Sequence, residues 1–97
     1  MKNGFFITAE IKVKDYSKIE LAKKELLKLQ QETLTEPGCD FFSIQQDNNE
    51  PSRFIMWERF NNENAFQKHF ELKHTKDFVS KDLTEIVQYF QTNVIDK

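Results

Sequence analysis

Ninety-seven residues make one domain, 1–97, and a chain of this length buries about 60–70 % of its unfolded surface. A net charge of −2, with fourteen Lys/Arg scattered among sixteen Asp/Glu and only Arg53 and Arg59 as arginines, argues against a nucleic-acid surface. No run approaches the roughly 20 apolar residues of a membrane span, no signal-peptide pattern opens the chain, and the lone Cys39 cannot form an intrachain disulfide, so a soluble cytoplasmic protein is expected.

Residues 5–13, FFITAEIKV, alternate. Phe5, Ile7, Ala9, Ile11 and Val13 share one side and Phe6, Thr8, Glu10 and Lys12 the other, which predicts a strand buried on one face. Ser17, three residues before Glu20, has capping-box spacing, with Tyr16 and Leu21 placed to form the accompanying hydrophobic staple. Ile19, Ala22, Leu26 and Leu29 then recur at intervals of three and four, an amphipathic helix expected to end near Leu34 because Pro37-Gly38 stops it. Residues 39–47 alternate again, Asp47-Asn48-Asn49-Glu50-Pro51 is turn chemistry, and residues 53–60 form the returning strand of a β-hairpin. Asn61 or Asn62 can cap a short helix whose inner stripe is Ala65, Phe66, His69 and Phe70. A second helical segment is expected from about Thr75 to Leu83, and residues 85–94 read as a last strand, favoured over helix by Ile, Val, Tyr, Phe and Thr.

The order β-α-β-β-α-β predicts an α+β, ferredoxin-like fold, a four-stranded antiparallel sheet with helices on one face. The other face would carry Phe6, Phe41, Ile55, Trp57 and Tyr89 among Thr8, Ser43, Gln45 and Arg59. That much exposed aromatic area predicts a homodimer through the sheet faces.

Several pieces of residues 36–79 resemble the antibiotic biosynthesis monooxygenase domain family of the dimeric α+β barrel superfamily. They are Glu36-Pro37-Gly38-Cys39 and Gln46-Asp47 around the second strand, Arg53-Phe54 and Trp57-Glu58-Arg59-Phe60 on the third, and then Glu63, Ala65, His69, His74 and Phe78. The resemblance implies a dimeric α+β barrel and chemistry of the quinol-monooxygenase type. It also implies a pocket between sheet and helices, walled by Ala9, Phe42, Ile44, Met56, Glu58, Phe60, Phe66, His69, His74 and Phe78. The alternation of residues 53–60 agrees on its own terms, with Phe54, Met56, Glu58 and Phe60 on one side and Ile55, Trp57 and Arg59 on the other.

His69 and His74 are the chain's only histidines. Either could be a packed or capping residue, or a base that takes a phenolic proton near neutrality. Glu58, directed inward, needs a partner or a proton, and pairing with His69 would orient that ring. A metal site is not expected: five residues apart on one helix, the histidines diverge by roughly 140°, and a third ligand would have to be Glu58. Haem is not expected either, because the haem-degrading relatives place a histidine at Val79, an asparagine at Ala9 and a tryptophan at His69. Two glycines and no phosphate loop leave flavin and nicotinamide without support.

The function expected is therefore monooxygenation, without cofactor, of a small aromatic quinol or phenol by O₂. His69, His74 and Glu58 would be catalytic, and Ala9, Phe42, Ile44, Met56, Phe60, Phe66 and Phe78 would hold the substrate. The alternatives are isomerisation of a small phosphorylated hydroxyketone, which the absence of a basic cluster near the C-terminus disfavours, and a non-catalytic module that binds a hydrophobic molecule.

Overall fold

The alternating first segment forms strand β1, Phe5–Val13, the spine of a four-stranded antiparallel sheet in the order β2-β3-β1-β4. The computed structural model describes residues 4–95. Helix α1 (Ile19–Thr33) follows, then the hairpin of β2 (Cys39–Gln46) and β3 (Arg53–Phe60), the short helices α2 (Glu63–His69) and α3 (Lys73–Ser80), and β4 (Thr84–Thr92). This is the βαββαβ order of the ferredoxin-like fold, with the helices on one side of the sheet. Among the described residues no helix is long and apolar enough to cross a membrane.

The core lies where the inward sides of the strands meet α1. Ile11, Val13, Phe42, Phe54 and Phe60 pack with Ile19, Ala22, Leu26 and Leu29 of the helix stripe. Cross-strand register sets the rows: Phe5 opposes Phe60, Ile7 opposes Glu58, and Ala9 opposes Met56. Phe42 lies beside Glu58 and Ile44 beside Met56. Trp57, 44 % exposed, is on the opposite face with Phe41, Thr8 and Arg59, as the alternation predicts. There the Arg59 guanidinium meets Asp40 at 2.6 Å, and Arg53 meets Glu10 and Asp47 at 2.9 and 2.8 Å.

The two sheet margins differ. The side chain of Gln30 reaches from α1 and its Oε1 accepts the Ile44 N–H at 2.7 Å, closing part of the β2 edge. Among the described residues strand β4 has no such cover, and Ile86, Val87, Tyr89 and Phe90 all stay exposed.

Local expectations fail at five places, each for a physical reason. The capping box does not form, because Asp15 takes both the Ser17 N–H and the Ser17 hydroxyl, at 3.0 and 2.7 Å, and Tyr16–Lys18 becomes a 3₁₀ turn. The staple is absent too: Tyr16 is 61 % exposed, Leu21 faces solvent, and the Tyr16 hydroxyl donates to Glu50. Helix α3 starts earlier and stops sooner than expected. Leu72 is its extended N-cap, and Asp82 adopts a left-handed φ of 53° that ends the helical run before Leu83. Phe70, expected on the inner stripe, caps the end of α2 and is half exposed. Tyr89 was expected on the outer face, yet it opposes Ala9 and so lies on the helix side, while Phe90 takes the outer position opposite Thr8. A bulge at Val87, between the Ile11–Ile86 and Glu10–Gln88 pairs, inverts the parity of the strand.

Candidate active site

Three separate segments deliver one buried cluster. After α1 ends, the backbone folds back through a Glu36 N–H bond to Thr33 and a Cys39 N–H bond to the Glu36 carbonyl, both at 3.0 Å, which turns the Glu36 side chain inward. Gly38 permits this turn to lie against α2. A Cβ there would stand 2.6 Å from the Cβ of Ala65. The Gly38 carbonyl accepts the Asn61 N–H at 2.8 Å, and the Asn62 side chain accepts the Ala65 N–H as the predicted N-cap, so the turn and the start of α2 are tied together.

Helix α2 ends on His69 itself. The extended backbone of Leu72 breaks the helical path, and α3 begins in a new direction with His74 in its first turn. The divergence that an unbroken helix would impose on the two histidines is thereby removed. His69 Nδ1 lies 2.7 Å and His74 Nε2 2.6 Å from the same oxygen, Oε2 of Glu36. The ring nitrogens donate and the carboxylate accepts, which leaves His69 Nε2 and His74 Nδ1 with their lone pairs. The Thr75 hydroxyl stands 3.3 Å from His69 Nδ1. His69 is buried among aromatic rings, with centroids at 5.8 Å for Phe42, 5.4 Å for Phe60 and 5.2 Å for Phe70.

The expected partner of His69 was Glu58; the structure puts Glu36 there instead. Glu58 is buried on β3 in the same interior, and among the described residues its carboxyl makes no hydrogen bond. Burial, reinforced by the Glu36 charge, raises its pKa to about 7. Burial also lowers the pKa of His69, outweighing the attraction of Glu36, so the ring is neutral at pH 7. The Cys39 thiol, pushed up to about 11 by burial and then by Glu36, stays protonated and fits its expected role as inert packing.

These shifts give stability two opposed pH dependences. Protonated Glu58 is favoured in the folded state, so its contribution falls as pH rises from 4.5 to about 7. The difference is on the order of 3 kcal/mol. His69 acts in the opposite sense, costing stability as pH falls below 6.5. Glu58→Gln is therefore expected to raise stability at pH 8 by about 2–3 kcal/mol and to leave it nearly unchanged at pH 5. Urea unfolding at the two pH values measures this, and equal effects at both would show that Glu58 is not the titrating group.

All the remaining residues expected at the pocket lie on the helix side of the sheet. Ala9, Phe42 and Phe60 are buried, and Ile44, Met56, Phe66 and Phe78 are half-buried against the same core. Two cavities adjoin this layer. A groove of about 500 Å³ runs between α1 and the β2–β3 hairpin over Leu26, Leu27, Ile44 and Phe54. A cavity of about 10 Å³, room for roughly one water, touches His74 and Phe78 at the α1–α3 seam. Sequence reasoning missed Glu36, although the Glu-Pro-Gly-Cys run that holds it was already part of the resemblance. Among the described residues Glu36, His69 and His74 are also the ones that could hold a metal, their ligand atoms lying within 4.8 Å of one another.

A family model described as antibiotic biosynthesis monooxygenase matches residues 4–81. The YjcS protein of Bacillus subtilis strain 168 is 34 % identical over 91 residues, spanning 94 % of this chain and 87 % of that protein. A solved structure of protein YJCS superposes with a TM-score of 0.88 at 32 % identity, covering 96 % of this chain and all of the other. A Pseudomonas aeruginosa protein gives the same TM-score at 22 % identity, covering 99 % of this chain and 98 % of that one, a likeness of fold.

Proposed function

This chain belongs to the antibiotic biosynthesis monooxygenase family, and from that premise we propose that it oxidises a small aromatic quinol or phenol with O₂ and no cofactor. The observation that carries the proposal is the shared carboxylate: Glu36 holds both histidines at 2.7 and 2.6 Å inside an aromatic interior. With Nδ1 engaged, His69 offers Nε2 as the base that takes the phenolic or benzylic proton. A carboxylate on the far nitrogen favours this tautomer and steadies the imidazolium that forms. The substrate anion then passes an electron to O₂ and the radical pair recombines. One oxygen atom stays on carbon and the other leaves as water. Glu58, whose raised pKa of about 7 keeps a substantial share of the carboxyl protonated near neutrality, is placed by this reading as the hydrogen-bond donor to the anion. Ala9, Phe42, Ile44, Met56, Phe60, Phe66 and Phe78 supply the apolar wall for a flat ring.

Oxygen-electrode assays with a panel of hydroquinols and anthrones test the proposal. Uptake is expected from the wild-type protein and is expected to be lost in His69→Gln. A ligand that raises the melting temperature without any uptake would instead favour a binding module, and conversion of a phosphorylated hydroxyketone without oxygen would favour an isomerase.

The reading includes a homodimer through the outer sheet face, which would cover Phe41, Trp57 and Phe90, now 47 %, 44 % and 54 % exposed. Wild-type protein is expected to scatter light as twice the 11.6 kDa protomer. Trp57→Asp, a charge at the centre of that face, is expected to scatter as a single protomer. An unchanged mass for the variant would move the interface elsewhere.

A further inference from the structure

We propose that Glu36, His69 and His74 form a binding site for a first-row divalent transition-metal ion. This goes beyond the monooxygenase reading and does not rest on it. Both histidines of the chain aim a ring nitrogen at one carboxylate oxygen, from helices that break between them to allow it. The three ligand atoms lie within 4.8 Å of one another. An ion with bonds of about 2.0–2.2 Å to nitrogen and oxygen wants its donors roughly 3–3.5 Å apart. The nitrogen–oxygen separations of 2.7 and 2.6 Å are hydrogen bonds with a proton between the atoms. Each neutral imidazole can move that proton to its other nitrogen, turning a donor into a lone pair aimed at the same point. To admit an ion, each nitrogen moves away from the Glu36 oxygen by less than about 1 Å, and the two rings, whose nitrogens lie within 4.8 Å of each other, turn toward one another.

The surroundings suit such an ion. The side chains of His69 and Glu36 are 5 % and 6 % exposed and that of His74 is 17 %, so the site is dry on one side and reached from the other. The cavity at His74 is lined by the acids Glu25, Glu32 and Asp77 and by Lys28 and Lys81, and opens at the α1–α3 seam. Two imidazoles and one carboxylate suit zinc, cobalt, manganese or iron and leave open positions on the metal. Occupancy places the proton of His69 on Nε2, the nitrogen assigned above as base, so the loaded protein and the proton-abstracting protein are alternative states.

The experiment uses the full chain, stripped with chelator and free of substrate. Titration with Co²⁺ is expected to produce saturable visible d–d absorption at one ion per chain, which an equimolar addition of Zn²⁺ then bleaches. Glu36→Gln and His74→Gln are each expected to weaken Zn²⁺ binding by at least about 10²-fold in calorimetry. The exposed Glu71→Gln variant is expected to bind as the wild type does. Circular dichroism and melting curves identify any variant that fails to fold, and the other ligand variant then decides. Absent or unsaturable cobalt absorption overturns the site, and so does wild-type affinity in a folded Glu36→Gln or His74→Gln protein. Because no substrate is present, that failure leaves the oxygen-uptake result untouched.

Discussion

Glu36→Gln is expected to lower oxygen uptake by about 10²–10⁴-fold while leaving the fold intact. Glutamine keeps the shape of the side chain but replaces one carboxylate oxygen by an NH₂ donor. A single Oε2 now accepts from His69 and His74 at 2.7 and 2.6 Å. An amide oxygen in that place carries no charge to stabilise an imidazolium. An amide nitrogen there would demand a ring lone pair and flip His69 to the tautomer protonated on Nε2. The base is weakened in the first orientation and lost in the second, although every ring remains packed. The loss should fall on kcat with KM little changed, because Glu36 does not line the apolar wall. A loss confined to KM would make Glu36 a binding residue and would remove the dyad from the chemistry.

Phe60→Ala is expected to cost about 3–5 kcal/mol. Phe60 is 0 % exposed at the end of β3, with its ring 5.5 Å from Phe66 and 5.4 Å from His69. It opposes Phe5 on β1 and Cys39 on β2, so strands on both sides lose contact when the ring is removed. A domain of this size has about 5–15 kcal/mol of stability in total. The variant is therefore expected to melt some 15–30 °C below the wild type. Guanidinium unfolding measures the change directly, and a cost under about 1 kcal/mol would mean that the surrounding rings collapse into the gap.

Much of this architecture was legible from residue order, because period-two and period-three-to-four patterns are local. Phe5 to Val13 and Phe54 to Phe60 declare their buried sides without reference to the rest of the chain. Trp57 outward and Glu58 inward follow from the same rule. What escaped depends on competition or on distance. Ser17 has a capping-box partner at Glu20, but Asp15 is nearer and carries full charge. Tyr89 changes face because one extra residue at Val87 shifts every later side chain, and no periodicity marks where the insertion falls. Glu36 sits in a turn 33 positions from His69 and 38 from His74, so only the closed fold reveals its role. Equally, the five-residue gap between the histidines looks unfavourable until the backbone at Leu72 leaves the helix.

That bend has a cost in resilience. Alignment of the two imidazoles depends on the joint at residues 70–72 and on a seven-residue helix, far too short to persist without its neighbours. The sheet, by contrast, is stitched by three ladders, of which the central β1–β3 ladder runs without a register shift. Mild heat or denaturant can therefore scatter Glu36, His69 and His74 while the strands remain paired, and cooling lets the three side chains reassemble.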